Sequence, residues 1–136
     1  MLLGTQKINE NGRLEIGGCD TVDLAKRFGT PLYVMDEETL RGTCQAYRSA
    51  FESRWPNSVI SFSGKAFLNM ASCKIIEQEG LALDVCSGGE LYTALQAGFP
   101  PERLIVHGNN KSVKETTEAL EAGCWLIVTD SLSELD

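Results

Sequence analysis

The chain has 136 residues, of which 43% are hydrophobic and 23% are charged. These proportions are typical of a globular domain that can bury a core, and they exclude disordered, collagen-like and low-complexity architectures. The formal charge of −7, from 12 Lys and Arg against 19 Asp and Glu, argues against a nucleic-acid partner and fits a small-molecule one.

The sequence predicts neither a membrane span nor a targeting segment. Its longest apolar stretches, such as residues 124–128, are far shorter than the roughly 20 residues of a spanning helix. The N-terminus lacks the basic start and the apolar run of a signal peptide. The five cysteines are widely spaced without a C-x-x-C pair, so we interpret them as small buried hydrophobes rather than disulfides or metal ligands. We therefore expect a cytoplasmic protein that binds no metal, nucleic acid or membrane.

In chain order, residues 1–30 form a predicted N-terminal extension, and residues 31–136 alternate between strands and helices. The extension contains a possible strand at 14–16 and a helix at 21–28. Apolar residues at helical spacing predict further helices around 40–51, 68–75, 91–95 and 113–120. Short apolar runs predict strands at 32–35, 59–62, 81–86, 104–106 and 125–128.

This alternation predicts an α/β fold with a parallel sheet. A doubly wound open sheet and a (β/α)8 barrel both fit, and periodicity does not separate them. A complete barrel needs about 250 residues, so the chain would supply its first half, to about the fifth strand. Ser131 and Glu134 have the spacing of a capping box. The sequence therefore stops inside an incipient helix, which we interpret as truncation.

In both architectures, functional residues gather at the carboxyl ends of the strands. Lys65 follows the strand predicted at 59–62 and has apolar neighbours in Phe62 and Phe67. Partial desolvation there would lower the pKa of its amine and make it a nucleophile suited to Schiff-base chemistry. The alternative is an ordinary surface lysine.

Three further polar clusters follow later strands. Asp84 lies inside an apolar strand, on the same face as Cys86, and needs a partner such as a lysine. The Ser-Gly-Gly segment at 87–89 is either a weak anion site or a tight turn with a helix cap. His107, the only histidine, can stack on an aromatic ring or donate a hydrogen bond, or it is structural. Segment 129–131 is explained by Ser131 acting as a helix cap.

Several segments carry a family resemblance: Pro-Leu-Tyr-Val at 31–34, Lys65, Leu-Asp-Val-Cys-Ser-Gly-Gly-Glu-Leu at 83–91, Ala-Gly-Phe-Pro-Pro-Glu at 97–102 and His-Gly-Asn-Asn-Lys-Ser at 107–112. In this order they resemble the alanine racemase-like (fold-type III) family of pyridoxal-phosphate enzymes, and within it the diaminopimelate decarboxylases. The segment at 31–34 is similar to the family's first barrel strand. The resemblance covers the chain from about residue 12 to its end.

The resemblance implies a (β/α)8 barrel followed by a β-rich domain. It implies that Lys65 carries pyridoxal 5'-phosphate as an internal aldimine. It also implies that Ser63 lies under the cofactor ring, that Asp84 lies near the lysine and the cofactor, and that His107 lies at the same barrel mouth. The family's glycine-rich phosphate loop and its substrate contacts lie later and have no counterpart in this chain.

The implied reaction is the decarboxylation of meso-2,6-diaminopimelate to L-lysine and CO2, in lysine biosynthesis, by a homodimer. The 136-residue chain alone is expected to be inactive. An open half-barrel would expose strand edges and an apolar sheet face, which favour self-association.

Three alternatives stay open. The first is a related decarboxylase acting on ornithine, arginine or carboxynorspermidine. The second is a non-catalytic pyridoxal-phosphate-binding protein, which would release no CO2 from meso-diaminopimelate. The third is an open α/β binding domain without a cofactor, for which Lys65→Ala would have no spectral effect.

Overall fold

A computed structural model describes residues 1–135 and divides them into two compact units after Ala46. None of the helices in this range is both long enough and apolar enough to cross a membrane. The sequence predicted a different boundary, at residue 30, between an N-terminal extension and the start of the barrel. That boundary is not a division between compact units, and it stays a prediction.

The first unit contains a small antiparallel sheet. β1 (Lys7–Ile8), β2 (Leu14–Ile16) and β3 (Cys19–Asp20) pair in that order, and α1 (Thr21–Phe28) follows directly. The side chain of Asp20 accepts the N–H of Val22 at 2.8 Å and so caps the first turn of α1. The strand and the helix predicted for this part of the chain are therefore confirmed.

The start of α2 (Glu37–Glu52) is fixed by the carboxylate of Asp36. The hydroxyls of Thr39 and Thr5 each donate to it at 2.6 Å, and the N–H of Thr39 donates at 3.1 Å. The hydrogen bonds from Thr39 and then from Thr5 lower the pKa of Asp36 to about 2, because they favour its charged form. The helix predicted around 40–51 is confirmed.

The strand predicted at 32–35 is wrong. These four residues form no regular element, and their side chains are exposed. A strand requires hydrogen bonds to a neighbouring strand, and within residues 1–135 no strand pairs with this segment. An apolar run alone therefore does not establish a strand here.

The second unit contains a parallel sheet with a helix after each of its first three strands. The strands pair in chain order: β4 (Ser61–Ser63), β5 (Ala82–Val85), β6 (Leu104–Val106) and β7 (Leu126–Ile127). The helices are α3 (Met70–Gln78), α4 (Gly88–Gln96) and α5 (Val113–Ala122). The predicted α/β class is confirmed, with four parallel strands among the described residues rather than five.

Alternation along the strands gives this sheet two different faces. Leu83 pairs with Leu104, and Val85 pairs with Val106. All four are buried, with exposed fractions between 0% and 5%. Buried helix side chains complete this core: Cys73, Ile76, Leu91, Ala94 and Ala119. Burial of each large aliphatic side chain contributes about 1.5–3 kcal/mol, so the helix-covered face holds this unit together.

The opposite face carries a different row of side chains. Ser63, Asp84, Ile105 and Leu126 pair successively across the four strands, so their side chains share this face. None of the four is fully buried. The predicted polar residues are thus on the face opposite this core.

The incipient helix predicted after Ser131 begins where expected, but the predicted side-chain cap is wrong. Leu132–Glu134 is a single 3-10 turn, and the Ser131 side chain makes no capping hydrogen bond. Glu134 forms an ion pair with Lys111 at 2.8 Å instead of completing a capping box. The same carboxylate also accepts the N–H of Asp130 at 3.3 Å, so Glu134 makes both a local and a tertiary contact.

Candidate active site

Lys65 lies in a 3-10 turn, Gly64–Ala66, that directly follows β4. Gly64 is buried, and a Cβ atom at this position would lie 2.8 Å from the carbonyl oxygen of Asp84. The residue before Lys65 must therefore be glycine for the chain to leave β4 this close to β5. Lys65 itself is exposed. The predicted desolvation is wrong, because β4 is an outer strand of the described sheet and is flanked on one side only.

Ser63 and Asp84 are neighbours across β4 and β5. The Oγ of Ser63 and the Oδ1 of Asp84 are buried and have no hydrogen-bond partner among the described residues. A buried polar atom without a partner costs about 1–3 kcal/mol. Two such atoms on adjacent strands therefore mark a position where a bound polar group would be stabilised.

His107 is the first residue after β6, and its N–H donates to the carbonyl oxygen of Val85 at 2.9 Å. Its Nδ1 lies 3.7 Å from Oδ2 of Asp84, while 46% of its side chain is exposed. The imidazole of His107 is therefore a neighbour of Asp84 that the sequence analysis did not pair with it, and the proximity of Asp84 to Lys65 stays a prediction. One edge of the ring faces the carboxylate, and much of the remainder is open to a ligand.

Cys86 belongs to the same constellation, although the sequence analysis treated it only as a hydrophobe. Its Sγ, a carboxylate oxygen of Asp84 and a ring nitrogen of His107 all lie within 4.8 Å of one another. Burial raises the pKa of the Cys86 thiol, and the carboxylates of Asp84 and Glu90 raise it further. Cys44 and Cys73 are buried as predicted, whereas Cys19 is exposed, and the described cysteines form no disulfide.

Glu90 is a second residue that the sequence analysis missed. Its Oε2 accepts the N–H of Cys86 at 2.6 Å, and its own N–H donates to Ser87 Oγ at 3.2 Å. The predicted Ser87 cap is thus confirmed. Glu90 in turn holds the backbone of Cys86, the residue before the cap. Its position three residues after Ser87 is capping-box spacing, which was the available signal.

The glycine segment after β5 is occupied by a contact from the next helix. Glu115 accepts the N–H of Ser112 at 2.9 Å in a capping box, and its other oxygen accepts the N–H of Gly88 at 2.9 Å. These bonds, from Ser112 first and then Gly88, lower the pKa of Glu115 to about 2. Because the N–H of Gly88 already donates to Glu115, it is not available to a bound anion. The segment at 87–89 is therefore the tight turn with a helix cap, which was one of its two interpretations.

The loop that carries His107 is held by Lys111. Its Nζ donates to the carbonyl oxygen of Gly108 and pairs with Glu134, while only 5% of its side chain is exposed. A lysine is rarely so buried unless it is paired. Lys111 therefore ties the loop after β6 to the segment after β7, a tertiary contact that no sequence spacing indicated.

Residues 37–136 match the protein family described as "Pyridoxal-dependent decarboxylase, pyridoxal binding domain". The diaminopimelate decarboxylase of Bacillus methanolicus is 48% identical over 133 residues, which is 98% of this chain and 31% of that protein. The enzyme of the same name from Mycobacterium tuberculosis H37Rv is 46% identical over 128 residues.

Solved structures give the same relationship. A diaminopimelate decarboxylase from M. jannaschii, in co-complex with L-lysine, matches with a TM-score of 0.88 at 37% identity, over 96% of this chain and 31% of that one. A lysine/ornithine decarboxylase from Vibrio vulnificus, complexed with putrescine, matches with a TM-score of 0.72 at 27% identity. This likeness confirms the barrel as the fold, in place of the doubly wound sheet. The chain spans about 31% of the length of these relatives.

Proposed function

Because this chain belongs to the pyridoxal-dependent decarboxylase family through that family's pyridoxal-binding domain, we propose that it serves the decarboxylation of meso-2,6-diaminopimelate to L-lysine and CO2. One observation carries the proposal. The chain is 48% identical to a diaminopimelate decarboxylase over 98% of its length, and its Lys65 turn, Ser63, Asp84 and His107 lie at one edge of one sheet.

The side chains at this edge fit pyridoxal phosphate. The cofactor is a polar aromatic ring with an aldehyde, and Lys65 offers an exposed primary amine that can bond an aldehyde. The unpartnered Oγ of Ser63 and Oδ1 of Asp84 offer hydrogen bonds on the same face. We propose these residues, together with His107, as the part of the cofactor site that this chain supplies.

In this proposal, each residue has a separate task. Bound pyridoxal phosphate supplies an electron-accepting ring that stabilises the electron pair left on the substrate carbon as CO2 departs. The backbone bond from His107 to Val85 positions the imidazole at the sheet edge, with its Nδ1 3.7 Å from Oδ2 of Asp84. The half-exposed imidazole can cover a flat ring and can hold or move a proton. Glu90 fixes the backbone of Cys86 and so keeps the end of β5 in place.

The alternative substrates are the amino acids on which related decarboxylases act, such as ornithine. The Vibrio vulnificus lysine/ornithine enzyme matches at 27% identity, against 37% for the M. jannaschii enzyme. The difference favours diaminopimelate over ornithine. A non-catalytic cofactor-binding protein would also bind the cofactor through Lys65. Only an assay of CO2 release distinguishes it from a decarboxylase.

Two broader features belong to the same proposal. We propose a homodimer, because the resemblance implies an active site completed by a second subunit. We propose a cytoplasmic location, because five widely spaced cysteines without a C-x-x-C pair are more typical of a reducing compartment than of a disulfide framework. Sedimentation of the protein and fractionation of the cells test these two points.

The decisive experiment is a chimera. This chain replaces the matching 133-residue segment of the Bacillus methanolicus enzyme, and CO2 release is measured from meso-diaminopimelate, ornithine and arginine. We expect release from meso-diaminopimelate alone. Lys65→Ala should abolish it, and His107→Ala should lower kcat/KM by on the order of 10²-fold.

The control is Lys74→Ala, which removes a half-exposed lysine on α3 that pairs with Glu77. It should leave activity unchanged. Borohydride reduction followed by peptide mapping should place the cofactor on Lys65. A chimera that releases no CO2 from meso-diaminopimelate would refute the proposed function, and reduction that labels Lys74 as strongly as Lys65 would refute the assignment of the amine.

A further inference from the structure

We propose that Asp84, Cys86 and His107 form a binding site for a zinc-class divalent cation. Asp84 and Cys86 are two residues apart along β5 and its extension, so alternation places both side chains on one face. His107 follows the adjacent strand β6, and its N–H bonds to the residue between them, Val85. The three side chains therefore converge from two neighbouring strands.

The distances are close to those of a metal site. The three ligand atoms lie within 4.8 Å of one another. Metal–ligand bonds of about 2.0–2.3 Å place two ligands of one tetrahedral Zn²⁺ about 3.4–3.8 Å apart. Asp84 Oδ2 and His107 Nδ1 are already 3.7 Å apart. Small side-chain rotations would therefore bring all three atoms onto one ion.

Each ligand is available to a cation. Oδ1 of Asp84 is buried without a partner among residues 1–135, the thiol of Cys86 is free, and the imidazole is half exposed. The carboxylate of Glu90, held at 2.6 Å from the backbone nitrogen of Cys86, adds a second negative charge that opposes the nearby positive charge of Lys65. The electrostatic surroundings thus permit a cation.

The ligand types select the class of metal. A thiolate and an imidazole prefer zinc and similar transition metals, whereas Mg²⁺ and Ca²⁺ prefer oxygen ligands. Three protein ligands leave one coordination position open, as in catalytic rather than structural zinc sites. The inference does not rest on the proposed function. It predicts that zinc occupies Asp84 and His107 in competition with pyridoxal phosphate.

The test is a Co²⁺ titration of the full purified chain, followed by absorption. We expect one equivalent to bind, with visible bands and a near-ultraviolet thiolate band, and we expect Zn²⁺ but not Mg²⁺ to displace it. Cys86→Ser should remove the thiolate band and weaken Co²⁺ binding by at least about tenfold. Cys124→Ser, at another partly buried thiol outside the cluster, should change neither.

Circular dichroism checks that each variant keeps its secondary structure. If Cys86→Ser loses its secondary structure, Asp84→Asn is tested in its place, and it should weaken Co²⁺ binding by the same factor. Lys65→Ala should retain Co²⁺ binding, which separates this inference from the cofactor assignment. Absence of the thiolate band in the unmodified chain, or equal loss in Cys86→Ser and Cys124→Ser, would overturn the metal site.

Discussion

At the scale of the residue, a glycine determines where Lys65 leaves the sheet. Gly64 is buried against the backbone of β5, where an added Cβ would lie 2.8 Å from the carbonyl oxygen of Asp84. A backbone oxygen cannot rotate away as a side chain can. Any larger residue must therefore separate β4 from β5 or displace the turn that carries Lys65.

We predict that Gly64→Ala destabilises the protein by about 1–3 kcal/mol, the usual cost of overpacking. It should also reduce the yield of pyridoxal phosphate trapped on Lys65 by borohydride. Denaturant unfolding measures the first effect, and peptide mapping measures the second.

The matched control is Gly89→Ala in the first turn of α4. An added Cβ there meets only Ser87 Oγ, at 3.9 Å. Because alanine is the better helix former, this change should be neutral or stabilising by up to about 1 kcal/mol. Equal destabilisation by both changes would show that the close approach at Gly64 is not what matters.

At the scale of the element, Glu115 joins the N-termini of α4 and α5. It accepts the N–H groups of Ser112 and Gly88, and these bonds lower its pKa from 4.5 to about 2. A carboxyl group with a lowered pKa in the folded state stabilises that state above its ordinary pKa. The contribution is complete above pH 4.5 and disappears as the pH falls through about 2.

We therefore predict that Glu115→Gln lowers the free energy of unfolding at neutral pH. The difference in unfolding free energy between the unmodified chain and the variant should narrow as the pH falls from 4.5 towards 2. The reason is that the Glu115 carboxyl group becomes protonated in the unfolded state first and then in the folded state. Urea unfolding at a series of pH values measures the gap. Glu121→Gln, at an exposed position of the same helix, should show little effect, and a gap that stays constant with pH would contradict the assignment.

The sequence could predict features that depend on neighbouring residues, and it could not predict those that depend on residues distant in the chain. Helix α5 was predictable because helical spacing is a local feature, although Val113 and Leu120, on which the prediction depended, are exposed in the structure. The positions of Asp84 and His107 followed from the rule that parallel strands end at one edge. The strand at 32–35 failed because pairing depends on a distant partner. The capping box at Ser131 did not form because Glu134 accepts the N–H of Asp130 and pairs with Lys111. The place of Cys86 in the site became evident only from its distances to Asp84 and His107, which lie on β5 and after β6.

At the scale of the whole molecule, the parallel sheet has two outer strands, β4 and β7, within the described residues. The face opposite the core includes Leu126, which lies on β7 and is 44% exposed. Outer strands present unpaired backbone N–H and C=O groups that can bind another strand, and a closed barrel has none. An outer strand next to an exposed apolar side chain favours association between copies of the chain.

We predict that the purified chain associates as its concentration rises, as seen by sedimentation velocity, and that Leu126→Glu shifts the distribution towards the monomer. The added charge lies on the outer strand, where a second copy would have to desolvate it. Leu120→Glu, at a 67% exposed position on α5, places the same charge away from the strand and should change association less. A chain that stays monomeric at every concentration, or a Leu120→Glu change as effective as Leu126→Glu, would mean that the outer strand is not the associating surface.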